Sequence, residues 1–131
     1  MSNGVGNKYA KFVQTQLPKY EEVTGHHKPA PFWIGPGMFP GVNLRVAGLD
    51  ASKIVGSPHA NPHQHESPEI YLAPSEQKGE IVVEIQMDDE RFVVESPFAV
   101  FVPPGVTHCF KVLKCKTTHY VLGILLPGWQ G

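Results

Sequence analysis

The chain has 131 residues, enough for one ordinary domain with one buried core. Hydrophobic residues make up 41% of it and the formal net charge is −1. This composition excludes a disordered chain and leaves no basic excess to hold nucleic acid.

The longest apolar stretch, residues 120–126, is far too short to cross a bilayer. The polar start Met1-Ser2-Asn3-Gly4 lacks the basic end and apolar run of a secretory leader. Ser2 stands where myristoylation needs glycine. Two cysteines, Cys109 and Cys115, do not make a disulfide framework. The expectation is a cytoplasmic protein with no membrane and no nucleic-acid partner.

In chain order, residues 9–23 hold the only helix the pattern allows. It is short, with Phe12 and Val13 toward a core and Pro18 as its stop. Residues 24–41 are rich in Gly and Pro but carry Phe32, Trp33, Ile34, Met38 and Phe39. So much apolar surface predicts an ordered arm lying over the body of the protein. The division is therefore an arm over 1–41 and a β-domain over 42–131, with no repeats or linkers.

From residue 42 strands dominate. Val42, Leu44 and Val46 alternate with Asn43 and Arg45, and Ile81, Val83, Ile85 and Met87 with Glu80, Val82, Glu84 and Gln86. That period of two marks half-buried strands. Asp88-Asp89 turns the chain into a strand over 91–95, Pro97 breaks it, and 98–102 begins another. The last strand spans 119–126 and ends at Pro127-Gly128. Thirteen glycines and thirteen prolines punctuate the chain at short intervals, as in an all-β barrel or sandwich.

The chemistry concentrates in His63-Gln64-His65-Glu66-Ser67-Pro68-Glu69-Ile70-Tyr71. On a strand, His63 and His65 point to one face. Ser67-Pro68 can turn the chain, so that Glu69 starts the next strand beside them. Pro103-Pro104-Gly105-Val106-Thr107-His108 then offers a tight turn that delivers His108 at the head of a strand.

These two segments resemble the two signature motifs of the cupin superfamily. Gly56, His63, His65, Glu69 and Gly79 fill the first, and Pro103, Gly105 and His108 fill the second. The spacer before His63 and the interval to Gly79 are longer than the common form. Pro97 and Val112 stand where the second motif often has Gly and Asn. The resemblance spans roughly residues 42–126. It implies an all-β fold, a double-stranded β-helix (jelly-roll) barrel, here with a short N-terminal helix and arm. It also implies one divalent metal ion on His63, His65, Glu69 and His108.

Other polar residues read differently. Glu66 follows His65 directly and should face the opposite side, toward solvent. Tyr71 shares the face of Glu69 and is a candidate donor to a substrate. His59 is a candidate proton carrier at the barrel mouth, though Pro62 interrupts the alternation. His26 and His27 fall in the arm and are expected to be exposed. His119 reads as a core or edge histidine, and Cys109 as a structural thiol pointing away from the metal.

Three neutral imidazoles and one carboxylate suit Fe, Mn, Ni, Co or Zn and leave coordination positions open. The expected function is a metal-dependent cupin acting on a small oxygen-bearing organic molecule, as a dioxygenase, decarboxylase, lyase or isomerase. The alternative is a non-catalytic protein that uses the metal to bind a small molecule. A homodimer is expected, because pairing covers the apolar surface of a small barrel with an arm.

Overall fold

A computed structural model describes residues 7–23, 25–58 and 60–127. His59, a candidate proton carrier, lies outside the described residues. The described chain is nearly all β, and every strand pair is antiparallel.

The strands are β1 (Lys19–Glu21), β2 (Ala30–Ile34), β3 (Arg45–Asp50), β4 (Glu69–Ala73), β5 (Ile81–Met87), β6 (Glu90–Glu95), β7 (Phe98–Val102), β8 (His108–Cys115) and β9 (Tyr120–Leu125). They form a six-stranded sheet in the order β1-β2-β3-β9-β4-β7 and a three-stranded sheet in the order β6-β5-β8. The core lies between the sheets. Tyr71, Ala73, Val102 and Val121 of the larger sheet meet Ile81, Val83, Ile85, Phe110 and Val112 of the smaller. The sheets are not joined into one closed ladder of hydrogen bonds. Single bridges tie loop residues to β8, His63 to His108 and Val55 to Val112 among them.

The alternation read from the sequence is realised in β5, where Ile81, Val83 and Ile85 are fully buried and the residues between them are only partly so. Several expectations change. The helix expected over 9–23 is a 3-10 turn at Asn7–Phe12 that buries nothing, with Phe12 47% and Val13 54% exposed. Tyr9 and Phe12 pack on each other instead. Pro18 ends any helical reading, and Lys19–Glu21 pairs as an edge strand with β2. Residues 30–34 are a strand of the larger sheet, paired with β3, and Ala30 and Phe32 are buried. The alternation at Val42 and Leu44 precedes its strand, for residues 39–42 make a turn closed by Val42 N–H on the Phe39 carbonyl at 3.2 Å.

The expected strand through His63 and His65 is an extended loop. Pro62 and Pro68 bracket it and cannot donate to a ladder. Two backbone hydrogen bonds pin its middle: His63 N–H to the His108 carbonyl at 3.1 Å, and His108 N–H to the His63 carbonyl at 2.8 Å.

Register across β3, β9 and β4 sets what faces the interior. Arg45 pairs with Leu125 and Leu125 with Glu69; Ala47 pairs with Gly123 and Gly123 with Tyr71. Laterally paired residues of an antiparallel sheet project from the same face. These rows line one cavity of about 400 Å³. The small residues of the second row leave the room that the cavity occupies.

Candidate metal centre

His63 and His65 sit on the pinned loop, Glu69 opens β4 and His108 opens β8. The loop is fastened to the turn before β8. Gly105 N–H donates to the His65 carbonyl at 3.0 Å. Gly105 holds φ +78°, a left-handed conformation that a side chain would strain. The glycine of the second motif thus delivers His108 and anchors His65 together. A second tie comes from the β5–β6 turn, where Asp88 N–H donates to the Thr107 carbonyl at 2.7 Å and Thr107 N–H to the Asp88 carboxylate at 3.1 Å.

The ligating atoms of His63, His65 and His108 lie within 4.8 Å of one another. Each ring is oriented by the same device. Nδ1 of His63 is 2.7 Å from the Asn61 carbonyl, Nδ1 of His65 2.7 Å from the Ser67 carbonyl, and Nδ1 of His108 2.8 Å from the Val106 carbonyl. A carbonyl only accepts, so each Nδ1 carries the proton and each neutral ring keeps its lone pair on Nε2. The Glu69 carboxylate lies beside two of these three rings. Its Oε1 is 3.2 Å from Nε2 of His108 and 3.4 Å from Nε2 of His65. Lone pairs facing a carboxylate oxygen at this distance repel unless a cation lies among them, whether protons on the rings or a metal ion. Three Nε2 donors and one carboxylate are the donor set that late first-row divalent metals prefer, so the residues fit the implied ion.

Electrostatics follow from the same packing. Burial opposes the charge on Glu69, but with protons on both Nε2 atoms, hydrogen bonds from His108 and His65 outweigh it and hold the carboxyl at about 2. Glu69 is therefore an anion. Burial first, then the neighbouring His108 and His65, lowers His63 and favours its neutral form, even though its bond to Asn61 acts the other way. The hydrogen bond to Glu69 raises His65.

Gly123, on the adjacent strand β9, was not singled out by the sequence. A Cβ there would come 2.6 Å from Oε2 of Glu69, so only glycine lets the carboxylate lie across β9. No local pattern signals this, because the need arises from pairing between β4 and β9.

Tyr71 is buried beneath the cluster, its ring 6.1 Å from that of His108 and 5.2 Å from that of Phe110. Burial, and then the nearby Glu69 charge, pushes its hydroxyl well above the usual range. Glu66 is exposed, on the solvent side as expected. His26 departs from its expected exposure. It is partly buried, bridges to Ala60 and packs its ring 5.4 Å from that of His63. Only His27 stays exposed, with Nε2 3.1 Å from the Asn61 side-chain oxygen. Cys109 pairs across the strands with Gln86 and directs its thiol to that side chain at 3.6 Å. Burial raises that thiol, which makes it a poor nucleophile. His119 lies beside Thr117 and 3.8 Å from Glu80, apart from the cluster.

No protein-family profile matches the sequence, and no curated relative is found. The likeness is structural. AerE from Microcystis aeruginosa superposes with a TM-score of 0.60 at 16% identity, over 85% of this chain and 46% of its own length. A cupin 2 domain-containing protein from Halorhodospira halophila gives 0.58 at 16% identity, over 80% of this chain and 66% of its own. An RmlC-like cupin from Shewanella frigidimarina gives 0.55 at 18% identity, over 90% and 91%. The fold of this chain is the cupin fold.

Proposed function

We propose that this chain is a metal-dependent cupin acting on a small oxygen-bearing organic molecule, with one divalent transition metal ion held by His63, His65, Glu69 and His108. The observation that carries the reading is the shared orientation of the three imidazoles. Each Nδ1 is fixed on a backbone carbonyl at 2.7–2.8 Å, and the Nε2 atoms converge beside one buried carboxylate. Metal-binding histidines are typically fixed in this way, through the ring nitrogen that does not bind the metal.

A bound ion of this kind supplies Lewis-acid polarisation of a substrate oxygen, or oxygen activation where it is iron. The chain's own residues supply the rest. The cavity admits the molecule beside the cluster. Glu69 offsets part of the dication's charge. Tyr71 lines the same wall, where its hydroxyl would donate a hydrogen bond to the bound molecule.

The non-catalytic alternative draws support from the same residues. Tyr71 is buried and Glu69 is engaged by two histidines, so neither offers a free base. The two readings share an accessible metal.

The test is the visible spectrum of the Co(II)-loaded protein on addition of acetohydroxamate, a small oxygen chelator. A changed ligand-field spectrum, lost in His108→Ala, is the expected result. A Co(II) spectrum indifferent to the chelator would mean that no coordination position is open to a substrate.

A further inference from the structure

The row that ends in Glu69 begins in Arg45. Both pair laterally with Leu125, so both project from the same face of the sheet, two strands apart. Two strand spacings place their backbones about 10 Å from each other. Both line the cavity, Arg45 at its exposed rim, with Leu125 between them. Arg45 is the only lysine or arginine among the described residues of that lining. Among the described residues it forms no ion pair, in contrast to Arg91, whose guanidinium holds Glu84 at 3.3 Å. The wall between the two ends is apolar or small: Phe32, Ala47, Leu49, Gly123 and Leu125.

From this we infer that Arg45 is the anion-binding residue of the cavity. Its ligand is a small organic acid with a carboxylate on Arg45, a short apolar body along Leu125 and Ala47, and an oxygen donor at the histidine cluster. The metal-side half of the statement rests on the proposed metal function; the Arg45 half does not. A guanidinium matches a carboxylate through paired N–H donors. Glu21 and Glu22 also line the cavity. Their charges oppose a multiply charged ligand and favour a monoanion over a phosphorylated one.

The probe pair is 5-oxohexanoate and its neutral amide, titrated calorimetrically into the metal-loaded protein and into the protein after chelation. The wild type prefers the acid over the amide. Arg45→Gln binds the acid about tenfold to a hundredfold more weakly, as expected for loss of a hydrogen bond between charged groups. It binds the amide unchanged and keeps full metal content. Arg45→Lys retains part of the preference. A wild type that binds acid and amide alike, or neither at millimolar concentration, overturns the inference, as does an Arg45→Gln variant that keeps the preference. Failure of the metal reading shows differently: metal content is then nil, while the preference for the acid persists in the chelated protein.

Discussion

At the scale of single residues, two glutamates three positions apart have opposite fates. Glu66 is exposed, whereas Glu69 is drawn into contact with two imidazoles and held ionised far below the usual carboxylate range. Glu69→Gln keeps the shape but removes the only anion of the cluster, so metal affinity should fall by an order of magnitude or more. Glu66→Gln should leave it unchanged. Titrating one metal into both variants side by side makes the comparison, and equal losses would refute the assignment. Gly123 acts on the same carboxylate from the neighbouring strand. A methyl there meets Oε2 of Glu69 at 2.6 Å, the tip of a side chain that can swing away. Gly123→Ala should therefore fold normally by circular dichroism yet bind metal about tenfold or more weakly, as when a ligand loses its support.

At the scale of elements, the strands read best where one face is buried. The alternation of Ile81, Val83 and Ile85 was legible because each odd position meets the core. The strand β2 was not, because Pro29 and Pro31 read as loop, and its pairing with β3 depends on a partner distant in sequence. The loop of His63 and His65 departs from the expected strand for the opposite reason: its alternation is real, but Pro62 and Pro68 deny it a ladder. The nearness of His63 to His65 was legible, since a spacing of two keeps them together in strand or loop alike. The position of His26 against His63 was not, for nothing local brings 26 to 63. The start of β5 is held by Ser96, fully buried, whose hydroxyl accepts from Ile81 N–H and from the Ser75 hydroxyl, each at 2.9 Å. Ser96→Ala strands a buried N–H, costing about 1–3 kcal/mol. A thermal melt should show a midpoint lower by several degrees, and an unchanged midpoint would mean that this clamp is dispensable.

At the scale of the whole molecule, the cavity is shared property of both ends of the sequence. Ala30 and Phe32 of β2 line it beside the residues of β9. Within the expected arm, Lys19–Glu21 and Ala30–Ile34 are thus strands of the sheet that builds the site. Removing residues 1–35 takes away β1 and β2, exposes the interior face that Phe32 covers and leaves β3 as a raw edge. The truncated chain should aggregate, as size-exclusion chromatography would show. A soluble, compact product that still binds metal would mean that the remaining strands suffice.

The central claim is that three histidines and one glutamate hold a divalent transition metal. Elemental analysis of the purified protein, followed by chelation and titration with Co(II) or Zn(II), tests it most directly. About one ion per chain, removed by chelator, restored on titration and lost in His63→Ala, is the result this account predicts. A wild-type chain that carries no metal and binds neither ion on titration would contradict it.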